Sequence, residues 1–179
     1  IETTPILSGE KFIIKSKVLN QEREIFVGLP HGYDTTSINY PLHFVLDGEI
    51  IFSCYNELVK INSEINPIHK AIVVGIPNID RDYDFDPRAN ASNFLKFVTQ
   101  ELIPAINDNY RTNEVRTIIG YSLAGNFVFY TLFNGFEYFN NYISGSPYRL
   151  DIYTEQDISK LNSLKELKTI YTSFGENDN

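Results

Sequence analysis

Apolar and polar positions along this chain change period repeatedly, from the two-residue alternation of strands to the three- and four-residue spacing of helices. Lys11 to Leu19 and Glu24 to Leu29 read as two strands joined by the polar turn Asn20-Gln21-Glu22, which predicts an opening hairpin. After the loop Pro30-His31-Gly32-Tyr33-Asp34, the continuous apolar run Leu42 to Leu46 predicts a buried strand that ends at Asp47-Gly48-Glu49. Ile51, Phe52, Tyr55, Leu58 and Val59 then fall on one helical face. Ala71 to Ile76 is apolar on both sides, as expected of a strand in a helix-covered parallel sheet.

The loop from Pro77 to Arg88 leads into a helix striped by Phe94, Val98, Leu102 and Ile106. Ser92 or Asn93 is its expected cap, and Pro104 is expected to kink it. Ile118 and Ile119 suit a buried strand, and Ala124, Val128 and Leu132 recur every four residues beyond it. A short strand at Tyr142-Ile143 follows, then a polar helix around Ile158, Leu161 and Leu164 and a strand from Thr169 to Phe174. This alternation predicts an α/β fold with a mostly parallel sheet, and residues 1–179 read as a single domain without repeats or linkers.

Composition narrows the function classes. Hydrophobic residues make up 42 % and charged residues 21 %, which argues against disorder. The net charge of −8 disfavours nucleic-acid and anionic-membrane partners, because both favour a basic face. No apolar run approaches the ~20 residues of a membrane span. The single cysteine, Cys54, rules out an internal disulfide framework and reads as a small buried residue on a helix. The chain starts at Ile1 and has no methionine, which implies a processed or trimmed start. The compartment therefore stays open, with the cytoplasm slightly favoured and export still allowed.

The most informative stretch is Arg116 to Tyr130, where the strand run breaks at Gly120 and helical spacing begins just beyond Ser122. A serine on such a strand-to-helix turn is pushed out of the sheet with its hydroxyl exposed. The helix N-terminus beneath it offers unpaired N–H groups to developing negative charge. The pattern points to a nucleophilic serine.

Landmarks around it occur in a fixed order: Leu29-Pro-His-Gly-Tyr33, Tyr40 to Gly48, Val73 to Asn78 with Arg81, Asp84 and Pro87, Glu101 to Pro104, Tyr110-Arg-Thr112, and Gly120-Tyr-Ser-Leu-Ala-Gly125. In this series the chain resembles the putative-esterase family of α/β-hydrolases, which includes esterase D-like enzymes and siderophore (enterobactin-type) esterases. The likeness runs from about residue 11 to residue 178. It implies an α/β-hydrolase fold with helices on both faces of the sheet. Two features depart from the family pattern: Ala124 stands where the family usually has glycine, and the stretch from Pro87 to Phe94 is short.

The resemblance implies a serine esterase working through an acyl-enzyme on a small-molecule ester, with no metal or cofactor. Ser122 is the expected nucleophile, and the backbone N–H of Leu123, with Gly48 or Glu49, the expected oxyanion hole. Asp178, with Glu176 as alternate, is where the likeness places the acid that orients a histidine. His31, His43 and His69 all precede Ser122 and are expected at the sheet edge opposite it, so the catalytic histidine and a final strand and helix are expected beyond residue 179. Arg81 and Tyr121 are substrate-binding candidates, although Arg81 could instead pair with Asp80, Asp82 or Asp84. Those alternating aspartates lack the turn glycine and final glutamate of a calcium loop. Rival readings are an esterase D-like thioesterase, an acyltransferase, and a non-catalytic binding module that keeps the fold without a base. Oligomeric state is not legible.

Overall fold

The computed structural model describes residues 9–148, 150–162 and 168–175. In chain order its regular elements are β1 (Glu10–Ser16), β2 (Gln21–Gly28), β3 (Tyr40–Leu46), α1 (Gly48–Ile65), β4 (Ile72–Ile76), α2 (Arg81–Phe85), α3 (Ala91–Phe97), α4 (Ile103–Asn109), β5 (Thr112–Tyr121), α5 (Leu123–Asn134), β6 (Asn141–Gly145), α6 (Glu155–Asn162) and β7 (Thr169–Ser173). The strands form one sheet in the order β1-β2-β4-β3-β5-β6-β7. The β1–β2 hairpin and the β2–β4 pair are antiparallel, and every other pair is parallel. The fold is the α/β architecture expected from the sequence. Parallel β3, β4, β5 and β6 all send their carboxyl ends to the same edge, where sites collect in open α/β sheets.

Alternation along the central strand builds two cores. Leu42, Phe44 and Leu46 of β3 join Val74, Ile118, Phe94 and Phe127 on the face covered by α3 and α5. Val45 and Val73 face the other way and pack with Phe52 and Val59 of α1. The helical stripe Phe94, Val98, Leu102, Ile106 is fully buried, as are Ala124 and, nearly so, Val128 and Leu132.

Several expectations are corrected. The helix after Asn90 starts at Ala91, so neither Ser92 nor Asn93 caps it. Just before Pro104, where a kink was expected, the helix takes a π-helical turn, Val98–Leu102, in which the Ile103 N–H reaches back five residues to the Val98 carbonyl. The same turn carries Glu101, whose carboxylate accepts the backbone N–H groups of Lys17 (2.9 Å) and Val18 (3.2 Å) and pins the β1–β2 turn. On α1 the buried residues are Phe52, Asn56, Val59 and Ser63, while Leu58 and Cys54 are exposed. The face is rotated by about 60° from the purely apolar one, at 3.6 residues per turn. Asn56 draws it round: a Cβ on Gly28 would lie 2.1 Å from Asn56 Oδ1, so only glycine lets this amide seat against β2. Strand β5 begins at Thr112, five residues before its buried stretch, and a register shift between Tyr40 and Leu42 takes up residues 113–115, of which Glu114 and Val115 are exposed. Leu164 lies outside the described residues. Strand β7 forms one sheet edge, with Ile170 and Tyr171 exposed.

One charged side chain runs through the larger core. Arg23 of β2 is almost completely buried and bonds Asp84 of α2 at 2.8 Å, with the Pro77 carbonyl at 3.2 Å as a second acceptor. Its guanidinium lies over the rings of Phe94 (5.2 Å) and Phe97 (5.8 Å). A buried pair of this kind contributes little net stability, but losing one partner strands the other charge. Its consequence is positional: it fixes α2 against the sheet.

His43 stands in the middle of β3 rather than at its start, because the strand begins at Tyr40-Pro41. It faces α1, where its Nδ1 and the Tyr55 hydroxyl share a 2.9 Å hydrogen bond. Burial pulls the imidazole pKa down to about 4 and pushes the Tyr55 phenol up to about 12. A group whose pKa falls on folding contributes stability that is complete above its unfolded value and is lost as pH falls through the folded value. Urea unfolding followed between about pH 6.5 and pH 4 should therefore show an extra loss of roughly 3 kcal/mol in the parent that His43→Gln lacks. Parallel pH profiles for the two proteins would contradict a buried neutral His43.

Candidate active site

Strand β5 ends at Tyr121 and α5 begins at Leu123, leaving Ser122 alone between them with φ 57° and ψ −120°. That backbone region is sparsely populated for any residue with a Cβ, and holding it costs about 1–3 kcal/mol. Sterics leave little alternative. A Cβ on Gly120 would lie 2.4 Å from the Ala124 carbonyl oxygen, and one on Gly125 would lie 2.8 Å from Ser144 Oγ. The two glycines let the chain turn sharply and let α5 lie against β6, with Ala124 fully buried between them.

Hydrogen bonds hold both peptide planes that flank Ser122. The Ser122 N–H donates to the Gly145 carbonyl at 2.8 Å, and the Tyr121 carbonyl on the same plane accepts from Arg81 Nη2 at 3.1 Å. The Ser122 carbonyl accepts from the Asn126 N–H at 3.0 Å, which sets the plane carrying the Leu123 N–H. As the first N–H of α5, that of Leu123 has no carbonyl within the helix to meet.

The neighbouring strand end is built in parallel fashion. Asp47, after β3, is buried in the left-handed region at φ 53° and precedes Gly48, the first residue of α1. A Cβ on Gly48 would lie 2.6 Å from the Ile76 nitrogen, so this turn is pressed against β4. The Gly48 and Glu49 N–H groups are the first two of α1 and also lack intrahelical acceptors. Asp47 takes a bidentate bond from Arg81, Nε to Oδ1 at 2.7 Å and Nη2 to Oδ2 at 2.9 Å, and a further bond from Asn78 Nδ2 at 2.6 Å. The Glu49 carboxylate accepts from the Asn78 backbone N–H and from Asn78 Nδ2, both at 3.0 Å.

Ser122, Leu123, Gly48, Glu49, Arg81 and Tyr121 thus come to one sheet edge. Arg81 pairs with Asp47 instead of its acidic neighbours. Asp80 caps α2 through the Tyr83 N–H, and Asp84 is the partner of Arg23. Bonding from Arg81 to Asp47 raises the guanidinium pKa further. Asp47 and Asn78 were not singled out from the sequence. The signal available for Asp47 was its place before Gly48, since aspartate is one of the few residues that tolerate a left-handed turn. Asp178 and Glu176 lie outside the described residues.

The three histidines are elsewhere. His31 is exposed near Glu64 at 3.4 Å, and His69 sits in a helical turn ahead of β4. His43 is level with Thr117, five residues before Ser122, which is roughly 16 Å along the strand. All three lie away from the serine elbow, as the sequence reading expected, although His43 stands in mid-strand and not at the far edge.

Beside the elbow opens a cavity of about 380 Å³ walled by Leu123, Asn126, Tyr130, Phe133, Tyr148 and Tyr153. The Arg88–Asp86 ion pair at 2.6 Å lies on its rim. The space is aromatic with a polar margin, suited to a planar ring bearing hydroxyl or acidic groups.

The family model described as Putative esterase matches residues 16–170. The chain belongs to this family. Ferri-bacillibactin esterase BesA of Bacillus subtilis is 26 % identical over 164 residues, covering 75 % of this chain and 56 % of BesA. Among solved structures, an IroE-like serine hydrolase from Shewanella oneidensis superposes with a TM-score of 0.82 at 25 % identity, covering 92 % of this chain and 60 % of that one. The BES protein from Bacillus cereus gives 0.84 at 26 %, covering 99 % and 78 %. The chain spans little more than half the length of BesA.

Glycine accepts the Ser122 backbone angles without a Cβ conflict, so Ser122→Gly is expected to raise the unfolding free energy in urea by about 1 kcal/mol. A variant less stable than the parent would mean that the elbow is unstrained.

Proposed function

We propose that the protein is a serine esterase that works through an acyl-enzyme. Its substrate on this reading is a siderophore-type ester carrying aromatic acyl groups. Ser122 Oγ attacks the ester carbonyl, and the N–H groups of Leu123 and of Gly48 or Glu49 receive the oxyanion. A histidine takes the serine proton and returns it to the leaving alcohol, and water then releases the acid by the reverse sequence. That histidine is none of the three placed above, and Asp178 is its orienting partner on this reading. The aromatic cavity beside Leu123 takes the acyl ring.

The observation that carries the proposal is the Ser122 backbone at φ 57°, ψ −120°. The molecule holds a strained serine at the carboxyl edge by two peptide-plane clamps, and strain of this kind collects where chemistry is done. Likeness to the ferri-bacillibactin esterase BesA favours ferri-bacillibactin over a simple alkyl ester.

A second reading, a binding module without turnover, is favoured by the remoteness of His31, His43 and His69. One experiment separates the two. Full-length protein is incubated with ferri-bacillibactin and with 4-nitrophenyl butyrate, and products are followed by mass spectrometry and absorbance. Turnover of ferri-bacillibactin is expected, falling by about 10⁴-fold or more in Ser122→Ala. Saturable binding with equal, water-like turnover in parent and variant would establish the binding module instead.

A further inference from the structure

We propose that the outward face of α1 is a dimer interface, on which a second copy of this chain lays its own α1 antiparallel across a two-fold axis between Leu58 and Ile61. The inference rests on α1 and stands apart from the esterase reading.

Helix α1 is apolar on two sides. Phe52, Asn56, Val59 and Ser63 face the sheet. At 3.6 residues per turn, Ile50, Cys54, Ile61 and Ile65 fall within about 30° of the opposite direction, and Leu58 falls about 50° from it. No described residue covers this row: exposure runs from 52 % at Leu58 to 80 % at Ile65, and Cys54 is exposed as well. Ile68, 78 % exposed, follows just past the helix end, where Asn66 Oδ1 accepts its N–H at 3.1 Å. Exposed apolar residues scattered singly are ordinary, but a contiguous row of this length marks a contact surface.

The order of the row points to its partner. Its steps are four, four, three, four and three residues, the spacing of a seam that packs against another helix. Reversed, the row maps onto itself: Leu58 meets Ile61, Cys54 meets Ile65 and Ile50 meets Ile68. A two-fold dimer requires a surface that is its own complement in this way. Glu57 and Lys60 pair at 2.9 Å on one flank, and the same axis sets each Lys60 between its own Glu57 and that of the second copy. The area is also sufficient. At roughly 100 Å² of apolar surface for each large side chain, two such rows remove about 1,000 Å² from water, the size at which specific interfaces begin. A lipid surface fits less well, because that flank sets Glu49, Glu57 and Glu64 against Lys60, whereas helices that lie on membranes carry basic flanks.

The test is sedimentation velocity of the full-length protein up to about 100 μM, a range that detects dimers of micromolar Kd. The parent is compared with Ile61→Glu, Ile65→Glu, Lys60→Glu and the charge swap Glu57→Lys with Lys60→Glu. We expect a dimeric parent whose Kd rises by about 10²-fold or more in Ile61→Glu, because both copies lose the apolar contact. Ile65→Glu should act alike, and it carries the comparison if Ile61→Glu fails to fold. Lys60→Glu should weaken the dimer by about three- to tenfold, and the swap should recover that loss. A parent that stays monomeric at the highest concentration would overturn the proposal. Maleimide labelling of Cys54 and co-sedimentation with phosphatidylglycerol vesicles would then distinguish a face covered by the protein's own chain from one that meets lipid. A dimer indifferent to both Ile61→Glu and Ile65→Glu would overturn it equally, since its interface would lie elsewhere. A swap no tighter than Lys60→Glu would overturn the antiparallel arrangement. None of these readouts depends on Ser122, so a failed esterase reading leaves the dimer standing, and the reverse.

Discussion

The peptide plane between Tyr121 and Ser122 is the constraint on which the site depends. It is held by the Gly145 carbonyl on one side and by Arg81 on the other, and Arg81 is held in turn by the buried carboxylate of Asp47. Behind Arg81 stands the Arg23–Asp84 pair, a full charge on each side brought into the core at nearly zero exposure. Such a pair is a weak source of stability, and apolar residues would often serve as well. It fixes direction instead. Through it the hairpin strand β2 locates α2, α2 locates Arg81, and Arg81 joins the two strand ends that carry the candidate chemistry. Strain at Ser122 is tolerable because surrounding bonds over-determine its geometry.

Much of the fold was legible because its cores obey simple periodicity. The stripe Phe94, Val98, Leu102, Ile106 and the apolar residues of the run Leu42 to Leu46 buried as written. Legibility failed wherever polar atoms decide packing. The α1 face turned toward Asn56 and Ser63 because Gly28 leaves a hole that an amide fills, and hydrophobicity alone cannot register that fit. Strand β5 was read short because its first half is mostly polar, unburied and bulged, and Cys54 was read inward because its helix was taken to bury a different face.

The site divides in the same way. Ser122 and its glycines could be found from sequence because a strand-to-helix elbow needs small residues at fixed offsets around the serine. The network Asp47–Arg81–Asn78–Glu49 could not, because its members are up to 34 residues apart and meet only when parallel strands bring their ends together. Arg81 was noticed as a substrate-binding candidate, and the alternative weighed for it, pairing with nearby aspartates, missed Asp47, which is distant in sequence and close in space. The histidines illustrate the value of topology: their placement away from the elbow followed from strand direction alone.

Intact-mass analysis of the full-length protein after exposure to a fluorophosphonate, alongside Ser122→Ala, tests the central claim most directly. Activation of Ser122 predicts a single adduct on the parent and none on the variant. A folded parent that stays unlabelled would show that the strained elbow does not carry a working nucleophile.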